Sequence, residues 1–475
     1  MTANGPNSKD APASEALAEW MDRQYRLSAA AVLRSLGAVQ LVKERPGFGQ
    51  TIRPIRGSII ASPEIAAYDP DPDYFFHWLR DSAIVIDALR TLVQDGACGT
   101  DALDCVRDFI RFSLALGDLD GRAVSKSFDH RALAPEFRQY LRPESELVKV
   151  LGDEILAEAR FNPDGTLDIA KWARPQHDGP ALRALVVLRF LRGRVFDDAA
   201  TKLRARQLVD VDLRFTRQRW REPSFDIWEE EIGHHYYTRL VQRAALSDGA
   251  DWLQESGDAT QALACREASR EIAECLGDHW DEAKGFYLSR VGASPGGAKE
   301  LDIAVILGVV HAHRSDGTHS VHDPKAGKTL DRLERLFAEG YPINASRPVD
   351  RGVAMGRYKG DSYYSGGAYY FATLGAAEFH YRLAEGLVSR NAPNPPVERD
   401  LAHDTPETHI LRGDRFMAAV RAYTPASGEL SEQFDRVNGR QTSSKNLTWS
   451  HAALITAVAS RRAAVRALKL ERGEI

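Results

Sequence analysis

The chain has 475 residues, 43% of them hydrophobic, with 62 basic against 67 acidic side chains. That apolar content is ample for a large core. Near-balanced charge gives no sign of a nucleic-acid stripe or a basic membrane-facing surface, and no run approaches the length of a membrane span.

In chain order, residues 1–14 are small, polar and Pro-containing and are expected to be a disordered lead-in. MTANGPNSKDAPASEALAEW contains no apolar h-region, so no secretory signal is read there and the cytoplasm is the expected compartment. Residues 15–475 are read as one catalytic domain. From EALAEWMDRQYRLSAAAVLRSLG (15–37) onward the helical period dominates, with Leu17, Trp20, Met21, Leu27, Val32 and Leu33 at helical spacing. TIRPIRGSIIAS (51–62) is expected to form a small hairpin or an extended loop. Six segments then share one layout, a polar and aromatic loop followed by an apolar helix. They are YFFHWLRD before SAIVIDALRTL, WARPQHDG before PALRALVVLRFL, and FDIWEEEIG before HHYYTRLVQRAAL. GGAKELD before IAVILGVVHAH, GDSYYSGG before AYYFATLGAAEFHYRLA, and SSKNL before TWSHAALITAVAS complete the set.

Between them lie more charged, amphipathic stretches: DALDCVRDFIRFSLALG, DAATKLRARQLVDVDLRF, DATQALACREASREIAECLG, TLDRLERLFAEG and GDRFMAAVRAYT. With residues 15–37 these make six. Six apolar helices alternating with six amphipathic ones predict two concentric rings, an all-α (α/α)6 barrel with the apolar set inside. The loops before the inner helices then open at one end. None of Cys98, Cys105, Cys265 and Cys275 forms a C-x-x-C pair, so free thiols are expected rather than a zinc site.

Pooled at one face, those loops bring together Tyr74, Trp78, Trp172, Trp228 and Trp449 with Arg80, Asp81, Arg174, Asp178, Glu229, Glu230, Arg357, Tyr363, Tyr364 and Glu432. Aromatic faces beside fixed charged groups suit a sugar. There is no P-loop or GxGxxG before a helix, and the histidines are scattered or, as His234 and His235, adjacent and unable to face one way. In FDIWEEEIGHHYY (225–237), three neighbouring carboxylates after Trp228 disfavour each other's ionisation, which suits a general acid. Asp226-x-x-Glu229 equally fits a helix capping box. Sugar hydrolysis needs a second carboxyl, and GELSEQFDRVNG (428–439) supplies Glu432 shortly before the last inner helix. Open alternatives are a non-catalytic glucan-binding protein and a metal-dependent α/α-barrel enzyme.

Five of these segments, in order from about residue 15 to about 462, resemble glycoside hydrolase family 15, the glucoamylase family. YFFHWLRDSAIVIDAL is similar to its first substrate loop, and KWARPQHDGPALRA to its Arg-Pro-Gln-x-Asp-Gly-Pro-Ala-Leu-Arg segment. FDIWEEEIGHHYYTRLVQRAAL resembles the catalytic-acid segment, MGRYKGDSYYSGGAYYFATLGAAE the Gly-Arg-Tyr segment, and LSEQFDRVNGRQTSSKNLTWSHAALITA the catalytic-base segment. The resemblance implies an (α/α)6 barrel, no cofactor, and an inverting exo-hydrolase releasing β-glucose from non-reducing ends of α-1,4 glucans or maltooligosaccharides. It implies Glu229 as general acid and Glu432 as general base, about 6.5–9.5 Å apart. Glu230 becomes a substrate-binding carboxylate, and Arg80, Asp81 and Arg357 the grip on the terminal glucose. Tyr74, Trp78, Trp172 and Trp449 become aromatic walls, joined by Trp228 beside the acid, and Ser443 a neighbour of the base. Glu231 receives no role.

Three departures bear on linkage and chain length. Gly367, Ala368 and Tyr369 stand where fungal members carry Asn-Pro-Trp, His177 stands where a fungal member has Arg, and residues 134–155 look like an insertion beside the Trp172 loop. An α-1,6 or trehalose preference is the alternative within the same chemistry. No room is left for a starch-binding domain, so soluble oligosaccharides are the expected substrates.

Overall fold

The computed structural model describes residues 15–66, 71–99, 101–128, 131, 133–292, 299–314, 317–388 and 404–474. The lead-in 1–14 and residues 296–298 of the fourth loop lie outside them.

Among the described residues twelve long helices alternate between two rings. The outer ring holds α1 (Leu17–Ser35), α3 (Ala102–Leu116), α5 (Ala199–Arg219), α7 (Ala259–Gly277), α9 (Pro324–Gly340) and α11 (Pro406–Ala422). The inner ring holds α2 (Leu79–Gln94), α4 (Asp178–Arg192), α6 (Tyr236–Glu255), α8 (Ala304–Ala312), α10 (Tyr370–Val388) and α12 (Thr448–Glu471). Composition decides the layer. Every residue of α8 except His311 is buried, because helices on both sides and the barrel axis take all its faces. α9 buries only the stripe Ala326, Thr329, Leu330, Leu333 and Phe337 and turns its charges to water.

The inner ring closes on itself: α2 packs on α4, α4 on α6, α6 on α8, α8 on α10, α10 on α12, and α12 back on α2. The outer helices α3, α5, α7, α9 and α11 each pack on the inner helix before them, and α1 packs on α12. One large apolar core runs through both rings. Gly375 permits the close approach of α10 to α8, since a methyl there would lie 2.6 Å from Leu307 Cδ2. Among the described residues no helix is long and apolar enough to cross a membrane.

The loops are more ordered than sequence patterning indicates. Lys43–Arg45 and Gln50–Ile52 form an antiparallel hairpin, so the expected hairpin near residue 51 begins earlier and only its second strand lies in 51–62. Among the described residues four further small sheets occur, and three of them tie separate barrel loops together. One pairs His77–Trp78 with Arg160–Phe161. Another joins Ser224–Phe225, Ile232–His235 and Arg290–Val291, and a third joins Ala368–Tyr369, Gln433–Phe434 and Gln441–Thr442. The four cysteines are free thiols.

Candidate active site

A cavity of about 210 Å³ opens at the inner-helix N-termini, lined by Tyr74, Trp78, Arg80, Asp81, Trp172, Trp228, Glu229, Glu230, Arg357, Tyr363, Glu432 and Trp449. Of the residues singled out in the sequence as catalytic or substrate-binding, only Ser443 does not line it. Ser443 lies behind Glu432, 1% exposed, and donates its hydroxyl to Glu432 Oε2. Ile227, Phe371 and Leu447, which the loop pattern does not reveal, complete the lining. The helices explain the convergence. Trp78 precedes α2, Arg80 and Asp81 occupy its first turn, and Trp449 is the second residue of α12.

The capping-box expectation for Asp226 is corrected. Residues 226–231 are not helical but form the turn of the 224–225/232–235 hairpin, and α6 begins only at Tyr236. Asp226 caps the turn instead: its Oδ1 accepts the amides of Glu230 (2.8 Å) and Glu231 (3.4 Å). The turn sends its three carboxylates in different directions. Glu231 pairs with Arg290 and does not line the cavity.

Glu229 Oε1 accepts from Trp78 Nε1 (2.8 Å), Arg80 Nη2 (3.1 Å) and Gln176 Nε2 (3.4 Å). Its Oε2 accepts from Trp172 Nε1. Its backbone is left-handed, φ 63°, an unfavourable conformation for a residue with a Cβ. Arg80 also donates to Asp178 (3.2 Å) and pairs with Asp81 (3.5 Å). Burial opposes the guanidinium charge, but Asp178, Asp81 and Glu229 outweigh it. Asp81 is pushed up to about 6 by burial, against the pull of Arg80. Asp178, expected in the pocket, lies behind Arg80 and is 1% exposed. Arg174, expected there too, turns away to Glu158 and Asp168.

Glu230 is held by Arg357 Nη2 (2.8 Å), Tyr358 OH (2.6 Å) and Lys299. Burial raises its carboxyl, but Arg357, Lys299 and Tyr358 bring it below the ordinary range. Arg357 is itself fixed by Asp361 through Nε at 2.7 Å. Trp228 Nε1 donates to Asp302 (2.8 Å), whose carboxyl burial pushes up to about 7. Tyr358, Asp361, Lys299 and Asp302 carry no sequence signal of their own beyond lying in or beside the loops.

Glu432 occupies a separate wall, and no hydrogen bond joins it to Glu229 among the described residues. Its Oε1 accepts from Tyr74 OH at 3.3 Å, and Tyr74 OH meets Tyr363 OH at 2.9 Å. Burial pushes Glu432 up to about 7, against Ser443, Arg357 and Tyr74, which favour the ionised form. The floor is Trp449 stacked flat on Phe371, centroids 4.2 Å apart and planes at 8°. Behind it, among the inner helices, lies a void of about 30 Å³ bordered by Asp87, Arg189, His311 and Arg382. Gly367, Ala368, Tyr369 and His177, the departures in the loops, are not in the cavity lining. Tyr369 is fully buried beside Trp228, and His177 packs on Phe215. Among the described residues no group of three or more His, Cys, Asp or Glu is placed to hold a metal.

A family model described as glycosyl hydrolases family 15 matches residues 46–459. A glucoamylase of Blastobotrys adeninivorans is 27% identical over 451 residues, covering 85% of this chain and 67% of the relative. A probable glucoamylase of Schizosaccharomyces pombe is 28% identical over 490 residues, covering 96% and 94%. Among solved structures, Hormoconis resinae glucoamylase superposes with TM-score 0.72 at 26% identity, covering 94% of this chain and 74% of that one. Saccharomycopsis fibuligera glucoamylase has TM-score 0.74 at 22% identity, covers 97% and 99%, and shares the barrel. With both carboxyl-bearing segments inside the matched range, the chain belongs to glycosyl hydrolases family 15.

Proposed function

We propose that the chain is an exo-acting, inverting hydrolase of the glucoamylase type that releases β-glucose from non-reducing ends of soluble α-1,4-linked glucans and maltooligosaccharides. The observation that carries this reading is the placement of Glu229 and Glu432 on one aromatic-walled cavity whose far end is closed. A closed floor admits a chain end and not a chain middle, which makes the action exo.

The roles follow from the partners. Oε1 of Glu229 already accepts three donors, so the transferable proton belongs on Oε2, beside Trp172. From there Glu229 protonates the glycosidic oxygen. Oε2 of Glu432 is committed to Ser443, leaving Oε1, with its longer contact to Tyr74, to take the proton of the attacking water. Attack opposite the leaving group inverts the anomeric centre. Asp81, which lines the cavity while its Oδ2 pairs with Arg80, is an acceptor for a glucose hydroxyl. The ionised Glu230 accepts from the sugar on the leaving side.

Proton NMR of the protein with maltose, isomaltose and trehalose, each followed from the first seconds, tests this. β-Glucose appearing first from maltose is the expected result. β-Glucose from isomaltose or trehalose alone keeps the mechanism and moves the linkage. α-Glucose as the first anomer from maltose overturns the roles of both carboxyls.

A further inference from the structure

We propose that Arg160 is a positioning residue for the catalytic acid, acting through the indoles of Trp172 and Trp78, and that a buried ladder of charges ties it to the 134–155 insertion. The proposal rests on the assignment of Glu229 as the acid.

Strand register places Arg160 directly opposite Trp78. Its guanidinium is sandwiched between two rings, 3.4 Å from the Trp172 centroid and 3.9 Å from that of Phe76, and lies 5.1 Å from the Trp78 ring. One cation therefore packs on both indoles whose N–H groups reach Glu229, one per carboxyl oxygen. Trp172 needs such an anchor. It is 39% exposed, on an irregular loop, and among the described residues contributes the one hydrogen bond to Oε2, the oxygen that carries the proton. A cation on the ring face fixes the plane of the indole and draws electron density from it, strengthening its N–H as a donor.

Arg160 is held in turn. Its Nε donates to Asp168 Oδ2 at 2.8 Å, Asp168 accepts from Arg174 at 3.1 Å, and Arg174 Nε donates to Glu158 at 2.5 Å. Glu158 accepts from Arg142 Nη1 at 2.9 Å. Arg142, Glu158, Arg160 and Asp168 are all less than a tenth exposed. The alternation of sign means that every buried charge has an opposite neighbour, the condition under which such groups are tolerated. Arg142 lies within the insertion, and Leu141 bridges Ala170 on the Trp172 loop. The insertion thus braces the loop that carries Trp172, the role that its place in the sequence leaves open.

A double-mutant cycle tests the coupling. Arg160→Lys keeps a charge for Asp168 but loses the stacking plane, and Trp172→Phe keeps a ring but loses the N–H. Arg160→Lys is expected to lower kcat on maltotriose on the order of tenfold to a hundredfold, as for a small misplacement of a reacting group, with KM changed less. In the Trp172→Phe background the same substitution is expected to cost several-fold less, because one of its two targets is gone and only the longer contact to Trp78 remains. Losses that multiply, or an Arg160→Lys enzyme with wild-type kcat, overturn the proposal. Should Arg160→Lys fail to fold, Asp168→Asn loosens the guanidinium while leaving it in place, and the same cycle applies. Glu229→Gln in parallel separates the two readings. If it retains wild-type turnover, the acid assignment fails; if it does not, the cycle alone judges Arg160.

Discussion

Glu229 and Ser443 share a left-handed backbone, at φ 63° and 64°. One is the proposed acid; the other holds the proposed base. Left-handed geometry costs a residue with a Cβ about 1–2 kcal/mol, and such strain gathers where a structure over-determines a functional position. Here a capped turn holds the first, and the sheet containing Gln433–Phe434 and Gln441–Thr442 holds the second. Glycine relieves the strain and alanine does not. Glu229→Gly is expected to be more stable than Glu229→Ala by about 1 kcal/mol, measured by urea unfolding, although both lack the carboxyl. An equal or reversed order means the turn stores no strain.

The two carboxyls are expected to separate by leaving group. Glu229→Gln should lower kcat/KM on maltose by roughly 10²–10⁴-fold. On α-glucosyl fluoride, whose departing fluoride needs little protonation, its loss should be far smaller. Glu432→Gln should impair both substrates, because water must be activated in each case. Steady-state assays on the two substrates decide it, and a Glu432→Gln enzyme that cleaves the fluoride at the wild-type rate removes Glu432 from the base role.

Burial holds Glu432 up to about 7, and a base must be ionised to act. Activity is therefore expected to fall as pH drops through about 7, visible in the acidic limb of kcat/KM. Ser443→Ala removes a donor that favours the ionised carboxyl, so the limb should move to higher pH. The same shift bears on folding. The folded value lies above the ordinary 4.5, so the protonated form is favoured in the folded state. Stability contributed by this group is full below about 4.5 and is lost as pH rises through about 7, by roughly 3 kcal/mol at most. Glu432→Gln should accordingly gain stability over wild type at pH 8 and lose that advantage at pH 4.5, in parallel denaturant melts.

The barrel was legible because burial on all sides and burial on one side leave different residue patterns, all-apolar in α8 and striped in α9. The pocket lining was legible because its members lie in the loops that lead into inner helices, or in the first turns of those helices. What stayed hidden is what pairs behind the lining. Arg174 lies in the loop of Trp172 and Asp178 opens the helix that follows it, yet one feeds the charge ladder and the other backs Arg80, since neither spacing nor residue type reports which way a side chain turns. Asp226-x-x-Glu229 suits a helix N-terminus, but the three-stranded sheet through residues 232–235 and 290–291 overrides it and delays the helix to Tyr236. Lys299 and Asp302 gain meaning only when hairpin register brings Glu230 and Trp228 to them.

Glu230 and Lys299 give a last test, of binding rather than chemistry. Lys299 bridges Glu230 and Asp226, whose Oδ1 caps the turn that carries the acid. Arg357 and Tyr358 keep their own bonds to Glu230 without it. Lys299→Met should therefore leave Glu230 ionised but less firmly aimed, with KM for maltose raised about three- to tenfold and kcat less affected, the pattern of an interaction made equally in ground and transition states. Glu230→Gln, which loses the carboxylate itself, should raise KM further. The cost should fade on α-glucosyl fluoride, which has no second sugar for Glu230 to hold. Equal losses on both substrates would place Glu230 on the terminal glucose instead.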